Sequence, residues 1–120
     1  MNIKLATINL EVADPERSKR FYLDALGMSE NLQRSHAPGF VYLETAGCDI
    51  TLARSQSGER AEPARTMELG FEVDDLPKLQ TRLTDAGITG FSAQAMGWGD
   101  VIEGHDLDGH RVIVYCFKRP

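Results

Sequence analysis

Apolar and polar residues alternate over positions 4–12, where Leu10 and Val12 are interleaved with Asn9 and Glu11. A two-residue period of this kind predicts a strand with one buried face. Asp14-Pro15-Glu16 then reads as a helix start, with Asp14 as cap, proline at the first turn and an acid against the helix dipole. The helix is expected over 15–26, with Phe21, Tyr22, Ala25 and Leu26 inward, and Gly27 is its stop. Strands are predicted at 29–35, 40–45 and 48–54, the last two joined at Ala46-Gly47. Residues 55–65 are polar and aperiodic, and read as a linker.

The pattern then starts again. A strand is predicted at 67–73, a helix over 76–86 stopped by Gly87, and strands at 89–93, 99–105 and 111–117. Asp108-Gly109 is expected to turn the last two into a hairpin. The two runs also echo each other in residues: Leu10-Glu11-Val12-Ala13-Asp14 matches Phe71-Glu72-Val73-Asp74-Asp75, and Ala25-Leu26-Gly27-Met28 resembles Asp85-Ala86-Gly87-Ile88. Repeated element order together with these echoes reads as an internal duplication. The expected fold is α+β: one domain over 1–120 built of two βαβββ modules, 1–54 and 66–120. Their curved, mainly antiparallel sheets would surround a cup, with the helices outside.

In each module one strand face should pack on its helix, burying Ile8, Leu10 and Val12, then Leu69, Phe71 and Val73. The opposite faces carry Thr7, Asn9 and Glu11, and Glu68, Gly70 and Glu72. Phe40, Tyr42, Ile113 and Tyr115 are expected on the same sides. Such a face is either solvated, as in many antiparallel sheets, or lines a ligand pocket. The mixture of apolar and polar groups favours the pocket. Trp98, between Gly97 and Gly99, either stacks over the pocket mouth or covers a core edge.

Totals narrow the partner. The 120-residue chain has a net charge of −5, with 42% apolar and 26% charged residues, an ordinary globular composition. Acidity argues against a nucleic-acid partner. With no membrane-span-length apolar run and no leader-like start, a cytoplasmic protein that binds no membrane is expected. Cys48 and Cys116 then read as free thiols rather than a disulfide. No phosphate-binding glycine loop or nucleophile elbow occurs.

Several segments together resemble the vicinal oxygen chelate superfamily, which includes glyoxalase I, bleomycin-resistance proteins and extradiol dioxygenases. They are Leu10 to Asp14, Arg17 to Tyr22, Leu26-Gly27-Met28, Phe71 to Asp75, Gly97-Trp98-Gly99 and Asp106 to His110. The resemblance implies a divalent metal held by His, Gln or Glu side chains, and lays its four positions on Thr7, Thr51, Glu68 and Ile113. Only Glu68 is a strong ligand type, so no metal and no other cofactor is expected. His36, His105 and His110 offer an alternative cluster with Glu68 or Glu103, but they lack convergent ligand spacing. His36 has in addition the chemistry of an acid or base.

Three functions stay open at this point. The preferred one is a metal-free binding protein of the bleomycin-resistance type, sequestering a small organic molecule, aromatic or cationic. Its expected contacts are Thr7, Asn9, Glu11, Tyr42, Thr51, Glu68, Trp98, Ile113 and Tyr115. The second is a metal-dependent glyoxalase- or dioxygenase-like enzyme with relocated ligands. The third is a metal-free enzyme in which Glu68, expected to be buried, is the catalytic base. The resemblance also implies a homodimer.

Overall fold

The structure, a computed structural model, describes residues 1–56, 62–63 and 66–119. The chain divides into two compact units, Met1–Ala61 and Glu62–Pro120. Each unit is a four-stranded open sheet carrying one helical segment, and the expected α+β class with its repeated βαβββ order is what is observed. The first unit contains β1 (Thr7–Val12), α1 (Pro15–Arg20), β2 (Ser29–Glu30), β3 (Phe40–Glu44) and β4 (Asp49–Arg54). The second contains β5 (Leu69–Glu72), α2 (Leu76–Asp85), β6 (Ser92–Met96), β7 (Gly99–His105) and β8 (Arg111–Phe117).

Strand order is the same in both sheets: β1-β4-β3-β2 and β5-β8-β7-β6. In each the first strand pairs parallel with the last, and the other two pairings are antiparallel. The helix–sheet cores follow the alternation. Leu10, Val12, Val41, Leu43, Ile50 and Leu52 are buried in the first unit, and Leu69, Ile102, Val112 and Val114 in the second. Removing each such side chain from water contributes about 1.5–3 kcal/mol before entropy is counted. Ile8, Phe71 and Val73 are only half-buried.

Both helices start on an aspartate. Asp14 Oδ1 accepts from the backbone N–H groups of Glu16 and Arg17, and Asp75 Oδ1 accepts from that of Lys78. Both segments end at a glycine with positive φ, 70° at Gly27 and 73° at Gly87, where a side chain would be strained. The expected single helix over 15–26 is in fact six α-helical residues followed by a π-turn, Phe21–Ala25. The wider turn brings Phe21, Tyr22 and Ala25 together into the core, with Phe21 and Tyr22 edge-to-face at 5.0 Å.

Other boundaries moved for local reasons. The strand expected over 29–35 stops at Glu30, because Asn31 turns the chain: its Oδ1 accepts from Arg34 N–H and its backbone oxygen from Ser35 N–H. The strand expected over 89–93 starts at Ser92, beyond Gly90, whose φ of 88° breaks extended backbone. The first strands of the two units begin later than expected, at Thr7 and Leu69. The β7–β8 connection is a five-residue loop rather than a two-residue turn at Asp108-Gly109. Buried Asp106 organises it, accepting through Oδ1 from Asp108 N–H and His110 N–H, both at 2.9 Å. In the proposed linker, Ser55 is buried and its N–H donates to Val12 O. Positions 57–61, 64 and 65 lie outside the described residues. Cys48 and Cys116 are free, and among the described residues no helix is long and apolar enough to cross a membrane.

The β3–β4 hairpin is closed by a carboxylate. Asp49 Oδ1 accepts from Thr45 N–H and Oδ2 from Tyr42 Oη–H, each at 2.9 Å. These bonds, the backbone one foremost, hold the carboxyl below its usual range, and the charges of Lys4 and Arg34 act in the same direction against partial burial. A depressed native value means that the stabilisation is complete above the unfolded value near about pH 4 and is lost as pH falls through the native one. Asp49→Asn is therefore expected to lower stability at neutral pH and to flatten the acid limb below about pH 4. Urea melts from neutral to strongly acidic pH check this, and parallel limbs would refute it.

Gly99 tests the close approach of β7 and β8. A Cβ there would lie 2.2 Å from Cys116 O and 3.0 Å from Phe117 Cα, backbone atoms that cannot rotate away. Gly99→Ala is expected to cost about 1–3 kcal/mol, read as a lowered urea midpoint with unchanged slope.

Candidate functional site

Strand register brings most of the predicted residues together within each unit. In the first, Asn9 pairs with Thr51 and Thr51 with Tyr42, so these three share a row across β1, β4 and β3. Thr7 and Glu11 lie one step along on the same face, and both are exposed. Thr51 is 6% exposed, and its hydroxyl donates to Asn9 Oδ1 at 2.7 Å. Tyr42 is held on two sides: its hydroxyl donates to Asp49, and it accepts from Arg34 Nη1 at 3.3 Å while the guanidinium lies 5.3 Å from the ring centre.

In the second unit Gly70 pairs with Ile113 and Glu72 with Tyr115. Arg111, Ile113, Tyr115 and Phe117 alternate along β8 and so share that face. A side chain at position 70 would touch Tyr115 Cε1 and Ile113 Cγ1. The glycine therefore leaves the two open to the face. Trp98, Tyr115 and Phe117 form a three-ring cluster with centroids 5.3–5.8 Å apart. It is open at the surface, Trp98 being 44% and Phe117 53% exposed.

Glu68 departs from expectation. It is exposed rather than buried, and its Oε2 accepts from Arg111 Nη2 at 2.9 Å. The burial that the base reading called for is absent. Arg111 and Glu68 open onto a cleft of about 220 Å³ that Ser92, Glu103 and His105 also line. His36 lies elsewhere, on the exposed turn bridged to Phe40.

Sequence reasoning missed four contributors: Arg34, Asp49, Phe117 and Arg111. Phe117 was legible, being two residues beyond Tyr115 on a strand already predicted. Arg111 was not, since its meeting with Glu68 depends on a parallel register across 43 positions.

The four positions that the resemblance assigns to a divalent metal do not fit one. Thr51's hydroxyl donates to Asn9, Thr7 offers a neutral hydroxyl, Ile113 is a hydrocarbon, and Glu68, beside Arg111, is the one carboxylate of the four. Such ions need several nitrogen or anionic oxygen donors. Among the described residues no three His, Cys, Asp or Glu side chains converge as a metal group.

Solved structures share this architecture. A glyoxylase/bleomycin resistance protein/dioxygenase domain from Frankia superposes with a TM-score of 0.79 at 22% identity, covering 99% of this chain and 94% of its own. Lactoylglutathione lyase from Agrobacterium tumefaciens gives 0.73 at 17%, with 94% and 92% covered. An integron cassette protein from the mobile metagenome of Vibrio cholerae gives 0.71 at 25%, with 98% of each chain covered. No curated protein sequence matches the chain significantly. The family model for Glyoxalase/Bleomycin resistance protein/Dioxygenase matches residues 4–114. With the repeated βαβββ order and the matched parallel registers, this places the chain in the glyoxalase/bleomycin resistance protein/dioxygenase superfamily.

Proposed function

We propose that the protein binds a small, planar organic molecule on the polar face of its sheets, without a divalent metal at the four positions named above. One observation carries this reading: where an enzyme of this superfamily would need four ligands, the chain has two threonines, an isoleucine and a carboxylate already paired with Arg111. The planar part rests on the open cluster of Trp98, Tyr115 and Phe117, since exposed rings at stacking distance offer a surface for another ring. A cationic ligand has less support, because the positive charge of Arg111 stands beside Glu68, an expected contact. A homodimer belongs to the same reading and draws on the resemblance alone.

Metal content comes first. Protein purified without chelators and soaked in manganese, nickel, zinc or iron(II) is expected to retain well under one equivalent of each by plasma mass spectrometry. One tightly held equivalent would overturn the reading and move attention to a metal-dependent reaction.

Trp98 is the chain's only tryptophan, so its fluorescence reports on the ring cluster alone. Benzamide, a neutral planar probe, is expected to quench it saturably, and Phe117→Ala to weaken that binding about three- to tenfold. Linear, purely collisional quenching, the same in both proteins, would count against a stacking surface.

A further inference from the structure

The place where the superfamily resemblance puts a metal ligand is filled here by an ion pair, and the reason lies in the register. Leu69 pairs with Val112, which sets Glu68 beside Arg111. On the other flank of β8, His105 pairs with Arg111. Arg111 thus stands between Glu68 and His105 in the register, on one sheet face. It has five N–H donors in a planar fork, and the bond to Glu68 uses one of them.

We propose that Arg111 supplies, from the chain itself, the positive charge that holds the ligand, and that this ligand is a small organic monocarboxylate. The inference rests on the reading of the protein as a metal-independent small-molecule binder, and names the class of molecule. The Arg111 side chain is 48% exposed, so its pairing with Glu68 is weak enough to share. Its unused N–H groups match a carboxylate's two oxygens. Ser92 and His105, side chains able to donate hydrogen bonds, line the same cleft.

Glu68 and Glu103 set the limit on charge. Both line the cleft with Arg111, and among the described residues Glu103 has no ion-pair partner. With Glu68 and Glu103 lining the cleft beside one guanidinium, each negative charge on a ligand is opposed, so a doubly charged anion such as phosphate is disfavoured more than a monocarboxylate. At about 220 Å³ the cleft is smaller than pockets for drug-sized ligands, so it takes a small acid or the acidic end of a larger one.

Three probes of matched shape test this: benzoate, benzamide and benzylammonium. Each is titrated to about 20 mM into the isotope-labelled full chain, followed by backbone amide shifts at positions 111–113; Trp98 fluorescence, at the far end of β8 from Arg111, is read separately as the report on the ring cluster. Benzoate is expected to bind at least about tenfold more tightly than benzamide and to shift the β8 amides. Arg111→Gln removes that preference. Arg111→Lys keeps the charge without the fork and retains only part of it. Glu68→Gln, which frees the guanidinium, tightens benzoate by about threefold or more. That variant also keeps the proposal open to refutation if Arg111→Gln fails to fold. Equal affinities for benzoate and benzamide, preference for benzylammonium, or benzoate affinity unchanged or weakened by Glu68→Gln would each overturn it. Saturable quenching by benzamide with no gain for benzoate would sink this inference and leave the planar-ligand reading standing. Benzoate shifts at positions 111–113 together with only linear, collisional quenching of Trp98 by benzamide would do the reverse.

Discussion

The parallel pairing of first and last strand in each unit decides what every other residue can meet. Parallel neighbours cannot be joined by a tight turn, so each β1–β4 or β5–β8 contact spans a helix and two further strands. That long closure sets residues some forty positions apart side by side: Asn9 with Thr51, Gly70 with Ile113, Glu68 with Arg111. A slip of one residue in either register would turn Leu10, Val12, Val112 and Val114 out of their cores. Because burial of those side chains opposes any slip, the polar faces inherit a fixed register from the apolar ones.

The elements were legible because their signals are local. Alternation in β1 and β8, aspartates at both helix starts and glycines at both ends are readable within a dozen residues, and the repeat made each half a check on the other. Boundaries failed where a single side chain or glycine overrode the pattern. Asn31 ended β2 by capturing backbone N–H groups, and Gly90 delayed β6. The π-turn at Phe21–Ala25 lay beyond reach for another reason: its residues fit an α-helical period nearly as well, and packing of two adjacent aromatics settles the difference.

The strand faces of the candidate site were legible in the sequence, and the side-chain partners on them were not. Periodicity placed Asn9, Tyr42, Thr51, Ile113 and Tyr115 on polar faces, and each is found on the expected side of its strand. What it left out were the partners that change a residue's chemistry. Thr51 reads as a spare hydroxyl until it is seen donating a hydrogen bond to Asn9 Oδ1. Tyr42 reads as a loose ring until Arg34 and Asp49 hold it. Glu68 reads as a lone carboxylate suited to a metal or a proton until Arg111 is seen beside it.

The Glu68–Arg111 pair also bears on how one scaffold can carry both metal enzymes and binders. A metal site on this fold needs donors at four register positions, so losing several of them removes the ion altogether. A guanidinium needs only one position on a neighbouring strand, and brings its charge with it. The two cations ask different things of a ligand. A divalent ion polarises a bound oxygen and so favours bond breaking, whereas a guanidinium grips a planar anion through two parallel hydrogen bonds and leaves its bonds alone. In the role proposed for it, Arg111 would hold a ligand's carboxylate on this face. The open rings of Trp98 and Phe117 lie toward the other end of β8 and offer apolar contact area there.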